Sequence, residues 1–150
     1  MATKEVEIQQ SIEHKNVARL LRKLRVQDLT ILVLELCSID LGKMLRMRQR
    51  SPTWVSFDED EIRPHLRSVL ETLCHVHNLK IVRRDLKPSN IFINSETEST
   101  VGDFGMAFVD DEGDVDRPSY GTEGYKAKGL QAGGVYHDKV DIIRLWLDHM

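Results

Sequence analysis

The feature that most constrains the fold of this sequence is a pair of polar motifs, Arg83–Asn90 and Asp103–Gly105, separated by a short run with strand and turn residues. Ile91–Ile93 and Val101 have the residue types of two short buried strands, and the polar stretch Asn94–Thr100 between them is typical of a turn. The pattern predicts a hairpin. Because a hairpin reverses the chain, it would return the second motif towards the end of the first.

Four side chains in these motifs suit the transfer of a phosphoryl group from a nucleotide. Asp85 is a carboxylate that could accept or orient a hydroxyl proton, and Lys87 is a compact cation suited to the γ-phosphate. Asn90 and Asp103 offer the hard oxygen atoms that Mg²⁺ prefers. Phosphoryl transfer needs an oriented acceptor, neutralised charge and a held metal ion more than covalent help from the protein. These residue types meet those needs.

The two motifs resemble, in order and separation, the catalytic loop and the metal-binding triplet of the eukaryotic protein kinases. Lys87 with Pro88 is similar to the serine/threonine branch of that family. The resemblance implies an α+β, protein-kinase-like fold with part of a small lobe (a regulatory helix and two strands) and the upper, mainly helical part of a large lobe. It implies ATP and Mg²⁺ as cofactors, catalytic roles for Asp85, Lys87 and Asn90, and metal ligands at Asn90 and Asp103.

Upstream, Glu5–Val17 looks like the regulatory helix of the small lobe and the turn after it, with Glu5 as its inward carboxylate. Leu20–Val26 and Thr30–Leu36 are predicted to be two strands of a hairpin. By resemblance, Glu35 and Cys37 lie in the hinge that binds adenine through its backbone. The alternative interpretation of the second strand is simply a buried strand, and both can hold together.

Two helices are predicted next, a short one over Asp40–Arg50 and a long one over Asp58–His77. Ser56 and Glu59 have the spacing of a capping box, and Pro64 predicts an irregular first turn. The apolar stripe of the long helix consists of Ile62, Leu66, Val69, Leu70, Leu73 and Val76.

Downstream, Asp103–Gly129 has the length and character of an activation segment. By resemblance, the Thr122 hydroxyl would reach the catalytic base and favour serine or threonine acceptors. Ser119 is a candidate phosphorylation site, because Arg84 beside the base is the type of residue that captures a loop phosphate. An ordinary exposed loop serine is the alternative for Ser119.

The sequence also departs from the family pattern. It contains no glycine-rich loop and no strand lysine to pair with Glu5, and Arg83 stands where the family has a histidine. A buried guanidinium is costly, so Arg83 is expected either to turn out to solvent or to find an acidic partner. Asp141 looks placed to hold the backbone at Arg84, and the segment 143–150 no longer follows the family.

These observations predict one partial kinase domain over 1–150, with a small-lobe remnant at 1–36, a large-lobe part at 37–142 and a divergent tail at 143–150. Three functions stay open: a serine/threonine kinase domain that is weakly active or inactive in this form, a pseudokinase or protein-binding scaffold, and a non-functional truncated product. The sequence lacks the glycine-rich loop that covers the phosphates in the family and the strand lysine that pairs with the helix glutamate. Little phosphotransfer is therefore expected, because positioning and electrostatic stabilisation supply most of this catalysis.

The net charge, the apolar runs and the cysteines of the sequence indicate the expected partners and location. The net charge of −3 favours neither nucleic acid nor an anionic membrane as a partner, and no apolar run is long enough to span a bilayer. Cys37 and Cys74 are too few for a disulfide framework and predict buried thiols in a reducing compartment. The expected partners are therefore ATP and a protein with a serine or threonine acceptor, and the expected location is the cytoplasm or nucleus.

Overall fold

The computed structural model describes residues 2–53, 57–95, 98–110 and 141–142. Within these ranges the helices are α1 (Ala2–Ser11), α2 (Leu41–Gln49) and α3 (Glu59–Asn78). The strands are β1 (Leu20–Val26), β2 (Leu29–Leu34), β3 (Ile39–Asp40), β4 (Ile81–Val82), β5 (Ile91–Ile93), β6 (Ser99–Val101) and β7 (Phe108–Val109), with a 3-10 turn at Pro88–Asn90. The fold is α+β, as predicted. No helix of the described residues has both the length and the apolar composition needed to cross a membrane.

The chain divides into two compact units, of which the first contains Met1–Ile12, Leu73–Lys87 and Phe104–Met150. Here β4 pairs antiparallel with β7, and α1 contacts β7. The buried apolar residues of this unit are Val6, Ile8, Ile12, Leu73, Val76, Ile81, Val82, Leu86 and Phe104. Leu86 of this core lies within the catalytic-loop motif.

The second unit contains Glu13–Thr72 and Pro88–Asp103. Its sheets are the antiparallel ribbon β1–β2 and the three-stranded antiparallel sheet β3–β5–β6. A parallel bridge from Val17 to Val101 adds the segment before β1 to the edge of β6. Its buried apolar residues are Val17, Ala18, Val69, Ile91, Ile93 and Val101.

Helix α1 confirms the helix that was predicted at the start of the sequence. Ile8 and Ile12 are buried, as are Val6 and Gln9, whereas Glu5 is half-buried. The helix ends at Ser11, whose hydroxyl donates to the Ile8 carbonyl at 2.8 Å. The side chains that face the core thus recur at helical spacing.

The predicted hairpin of β1 and β2 is also present, although β2 ends at Leu34, two residues earlier than expected. Gln27 adopts a positive φ of 54° in the turn that joins the strands. The interpretation of β2 and the residues after it as a buried strand is wrong, because Ile31 is 43% exposed and Leu36 is 99% exposed. The apolar residues predicted the strand correctly, but they did not predict which of its faces is buried.

The long helix α3 begins at Glu59, one residue later than predicted. Its capping box lies two residues further along the chain than predicted and consists of Asp58 and Glu61. The Glu61 amide donates to Asp58 Oδ1 at 2.8 Å, and the Asp58 amide donates to Glu61 Oε2 at 3.2 Å. Ser56, the predicted cap, lies outside the described residues. The helix continues through Pro64, so the predicted irregular first turn is wrong.

The apolar stripe of α3 is confirmed in part. Val69, Leu73 and Val76 are buried, and Ile62 and Leu66 are half-buried. Leu70 is 45% exposed and does not belong to the buried face. The prediction that both cysteines are buried is wrong, since Cys74 on this helix is exposed and Cys37 is half-buried.

Candidate functional site

The catalytic-loop motif in the first unit brings Asp85 and Lys87 together. Lys87 Nζ lies 2.8 Å from Asp85 Oδ2, and the Asp85 side chain is only 9% exposed. Arg84, the residue before the carboxylate, has a positive φ of 65°. A positive φ is uncommon for a residue other than glycine, so the backbone immediately before the carboxylate has an unusual conformation.

A buried carboxylate, that of Asp141, holds the backbone of the same segment. Asp141 Oδ1 accepts the Arg84 amide at 2.9 Å, and Oδ2 accepts the Arg83 amide at 2.9 Å. Oδ2 also lies 2.9 Å from His77 Nε2, and Asp141 is fully buried. The predicted contact with the Arg84 backbone is confirmed. The bonds to Arg83 and His77 were not predicted, because the family resemblance pointed only to the backbone at Arg84.

Arg83 and Arg84 lie over aromatic rings, one within the metal-binding triplet and one after it. Arg83 is fully buried, and its guanidinium carbon lies 5.6 Å from the centroid of the Phe104 ring. The alternative that Arg83 turns out to solvent is therefore wrong. Arg84 Nε donates to the Met106 carbonyl at 2.7 Å, and its guanidinium lies 4.5 Å from the Phe108 centroid. Each guanidinium thus makes a cation–π contact with a ring.

In the second unit, the β5–β6 hairpin brings Asn90 and the start of the Asp103 motif to the same end. β5 and β6 pair antiparallel, with Ile91 opposite Val101. β6 begins at Ser99, so the turn is two residues shorter than predicted. Just beyond that pair, the Gly102 amide donates to the Asn90 carbonyl at 3.0 Å. Asn90 is buried and Asp103 is exposed, with a positive φ of 59°. The predicted return of this motif to Asn90 is confirmed.

Gly102 has a packing reason to be glycine. A Cβ atom built on Gly102 would lie 2.7 Å from Cε2 of the Phe92 ring. The backbone before Asp103 can approach the sheet this closely only because it carries no side chain. A glycine immediately before an acidic residue gave a hint of this in the sequence, but the ring that requires it could not be identified there.

The residues of the predicted hinge follow β2 in the second unit. The Glu35 amide donates to the Arg19 carbonyl at 2.9 Å, and Glu35 Oε1 accepts the Arg19 amide at 3.0 Å. Cys37 is half-buried, and burial together with the negative charge of Glu35 raises the pKa of its thiol. A raised pKa keeps this thiol protonated and lowers its reactivity at neutral pH.

The remaining candidate residues are distributed as follows. Glu5 lies half-buried on α1 in the first unit. Ser119 and Thr122, and the end of the activation segment with them, lie outside the described residues, so their predicted roles stay predictions. Among the described residues no group of three or more histidine, cysteine, aspartate or glutamate side chains is placed to hold a metal ion. The predicted magnesium site has a different composition, since it combines one carboxylate with one carboxamide.

Each unit thus brings together residues of the motifs. Asp85 contacts Lys87 in the first unit, and Asn90 accepts a hydrogen bond from Gly102, the residue before Asp103, in the second. A catalytic loop followed by such a hairpin and an Asp-Phe-Gly triplet defines a protein kinase domain. The sequence profile of the protein kinase domain matches residues 1–145, and the chain belongs to this family.

Similarity to individual proteins narrows the class to the serine/threonine type. The chain is 34% identical over 123 residues to the serine/threonine-protein kinase plk-2 of Caenorhabditis elegans, covering 82% of this chain and 19% of that protein. It is 31% identical over 149 residues to the serine/threonine-protein kinase cds1 of Schizosaccharomyces pombe, covering 95% and 31%. It is also 31% identical over 141 residues to the mouse inactive serine/threonine-protein kinase PLK5, covering 93% and 23%. The chain therefore spans between 19% and 31% of the length of these relatives.

Proposed function

We propose that this chain binds ATP with Mg²⁺ and acts in transfer of the γ-phosphoryl group to a serine or threonine hydroxyl of a protein. The observation that carries the proposal is the hydrogen bond from Gly102 to the Asn90 carbonyl, which brings two oxygen-bearing side chains to one end of a hairpin. Membership of the protein kinase family supports the same chemistry. Family relatives named as serine/threonine kinases support the acceptor type.

Asn90 and Asp103 are the residues that would hold the metal ion. Mg²⁺ takes oxygen ligands and usually keeps several waters, so it is bound by one or two protein side chains together with phosphate oxygens. One carboxylate and one carboxamide fit that requirement, whereas a site of three acids would suit a cation held by protein alone. When bound, Mg²⁺ neutralises charge on the phosphates.

Asp85 would act on the acceptor hydroxyl, and Lys87 would act on the γ-phosphate. Asp85 would accept the proton of the acceptor hydroxyl, and Lys87 would bind an oxygen of the γ-phosphate. An ammonium group has three N–H donors, so Lys87 can bind a phosphate oxygen without releasing Asp85. The 2.8 Å contact between them therefore suits a cation that is already oriented when the nucleotide arrives.

The other roles are proposed from the family. The backbone of Glu35 and Cys37 would bind adenine, and Thr122 would approach the acceptor hydroxyl. Glu5 would take the place of the regulatory carboxylate, and Arg84 would receive a phosphate from Ser119. The contact of Arg84 with the Met106 carbonyl supports a role in ordering the segment after the Asp-Phe-Gly triplet. The cytoplasm or nucleus is proposed as the location of this activity.

Isothermal titration calorimetry with ATP tests nucleotide and metal binding together. Wild-type protein should bind ATP more tightly in Mg²⁺ than in EDTA, and Asp103→Asn should lose most of that difference, because it removes the charged oxygen. Glu98→Gln is a matched control, because it neutralises an exposed carboxylate on the same hairpin. Equal affinity with and without Mg²⁺ in the wild-type protein would contradict the proposal.

Phosphotransfer itself needs a separate measurement. The 150 residues contain neither the glycine-rich loop of the family nor the strand lysine that pairs with the helix glutamate there, so we expect them alone to transfer little phosphate to a generic basic peptide. A radiolabel assay that detects robust transfer, abolished by Asp85→Asn, would refute this expectation while supporting the assignment of the base.

A scaffold function is the second candidate, and two observations favour it. One of the similar proteins is named an inactive kinase, and Arg83 replaces the family histidine and packs over Phe104. A scaffold would show no gain in nucleotide affinity on adding Mg²⁺. The calorimetry described above therefore discriminates the two functions.

A further inference from the structure

We infer that His65 is a positioning residue for the magnesium ligands, because it helps to fix the strand β6 that leads to Asp103. The inference rests on the proposed binding of Mg²⁺-ATP by Asn90 and Asp103. His65 lies on α3, far from both motifs in the sequence, and nothing in the family resemblance points to it. Its role follows from a buried polar network within the second unit.

The first contact of the network joins α3 to β6. His65 Nδ1 lies 2.9 Å from the Ser99 hydroxyl, and His65 is 6% exposed whereas Ser99 is fully buried. Burial lowers the pKa of His65, so the imidazole is neutral near pH 7. A neutral imidazole can either donate to or accept from a hydroxyl, depending on its tautomer. The contact is thus a hydrogen bond between neutral groups in a site from which water is excluded.

The second set of contacts is made by Asn16, which lies between α1 and β1 and holds β6 at both ends. Asn16 Nδ2 donates to the Ser99 carbonyl at 2.9 Å, and the Asn16 carbonyl accepts the Val101 amide at 2.8 Å. The Thr72 hydroxyl donates to the same Asn16 carbonyl at 3.1 Å. Asn16 and α3 therefore hold the same short strand from two directions.

Helix α3 thus fixes β6 twice, directly through His65 and indirectly through Thr72 and Asn16. All three residues of β6 are at most 2% exposed, so the strand cannot slide without breaking buried hydrogen bonds. Buried networks whose members are mutually bonded define one arrangement of a core and resist small displacements.

The position of β6 determines the position of the magnesium ligands. Asp103 follows the last residue of β6 by two positions, and Gly102 between them donates to the Asn90 carbonyl. A displacement of β6 would therefore move Asp103 relative to Asn90. Mg²⁺ demands close to ideal octahedral geometry, so a shift of a fraction of an ångström weakens its binding. Loss of the His65 contact should accordingly lower metal-dependent affinity more than affinity for the nucleotide itself.

The test compares two substitutions of His65 by the ratio of ATP affinity in Mg²⁺ to that in EDTA, measured by calorimetry. His65→Phe keeps a planar ring but removes Nδ1, and we expect this ratio to fall at least tenfold. His65→Asn places a polar atom near the position of Nδ1, and we expect it to restore most of the ratio. A residue that served stability alone would change both affinities together and leave the ratio unchanged.

Ser68→Ala is the matched control. Ser68 is also a buried polar residue of α3, but its hydroxyl donates within the helix, to the Pro64 carbonyl at 3.1 Å. This variant should keep the wild-type ratio. If His65→Phe does not fold, Ser99→Ala serves instead, because it removes the same hydrogen bond by deleting only the hydroxyl oxygen. The ratio of ATP affinity in Mg²⁺ to that in EDTA must then fall in Ser99→Ala.

The outcomes separate the two claims. A wild-type chain whose ATP affinity does not depend on Mg²⁺ overturns the proposed function, and the role of His65 in metal binding with it. A wild-type chain with a clear dependence that persists undiminished in His65→Phe and Ser99→Ala overturns the role of His65 alone. Amide exchange by NMR adds a readout without nucleotide: exchange at Val101 and Gly102 should rise in His65→Phe but not in Ser68→Ala.

Discussion

Removing the Asp141 carboxylate should destabilise the protein through loss of a single buried acceptor. Asp141 is fully buried and accepts from two backbone amides, those of Arg83 and Arg84, and contacts His77 Nε2, each at 2.9 Å. Asp141→Ala would leave these groups without the carboxylate. An unsatisfied buried polar group costs about 1–3 kcal/mol. Because the three share one partner, their costs do not add, and we expect a total loss of about 3–5 kcal/mol.

Asp141→Asn should be milder. The carboxamide keeps the shape and one acceptor oxygen but turns an NH₂ group towards a former donor, so a loss of about 1–3 kcal/mol is expected. Urea denaturation gives the free energy of unfolding of each variant. Exchange of the Arg83 and Arg84 amides, followed by NMR, reports whether the backbone beside Asp85 has lost its anchor.

Asp60→Asn is the control for this series. The Asp60 side chain is 89% exposed and lies 3.4 Å from Arg63 within the same helix. Exposed ion pairs contribute little, so this variant should stay within about 0.5 kcal/mol of the wild type. An Asp141→Ala protein equally close to the wild type, with unchanged amide exchange at Arg83 and Arg84, would refute the idea that this carboxylate holds the catalytic loop.

Three further predictions concern the second unit. The free energy of unfolding should fall as the pH drops below about 6.5, because burial lowers the pKa of His65 and the unfolded chain then binds the additional proton. Urea titrations from pH 8 to pH 5 should show this loss of stability in the wild type and a smaller loss in His65→Asn. Gly102→Ala should cost about 1–3 kcal/mol in thermal unfolding, because its Cβ would lie 2.7 Å from the Phe92 ring, and an unchanged midpoint would contradict the packing argument. The Arg48 guanidinium, and after it the Asp58 amide, lower the pKa of Glu61 to about 2. Because the folded value is lowered, this stabilisation is present above the ordinary glutamate pKa and is lost as the pH falls towards 2. Chemical-shift titration of the Glu61 carboxyl should show a higher pKa in Arg48→Ala than in the wild type, and equal values would contradict the role of Arg48.

The local elements of this fold could be predicted from sequence because their signals are local. Strand β1 was predicted with its observed bounds, and α3 was predicted to within one residue at each end, since hydrophobic period and turn residues act over short distances. The β5–β6 hairpin followed from two apolar runs around a polar turn. Errors arose where burial decided the outcome, as at Leu70 and Leu36, because amphipathic pattern does not report which surface a neighbour covers.

The candidate site was likewise predictable in part from the sequence. The residue types and spacing of Asp85, Lys87, Asn90 and Asp103 indicated phosphoryl-transfer chemistry, and the family match confirmed the class of protein. The supporting contacts were invisible in the sequence: the link from Asp141 to His77, and that from His65 to Ser99.

The amino-acid sequence by itself determined the helices, the β1–β2 and β5–β6 hairpins, the chemistry of the motifs and the class of protein, because these depend on residue type and short-range spacing. The two-residue strands β3, β4 and β7 were not predicted, because each forms only where the folded chain supplies a strand to pair with. Only the tertiary structure decided that Arg83 would be buried over an aromatic ring and that a histidine on α3 would bond to the strand before Asp103. The physical reason is that a buried polar group must find its partner wherever the folded chain brings one, and that partner can be any number of residues away.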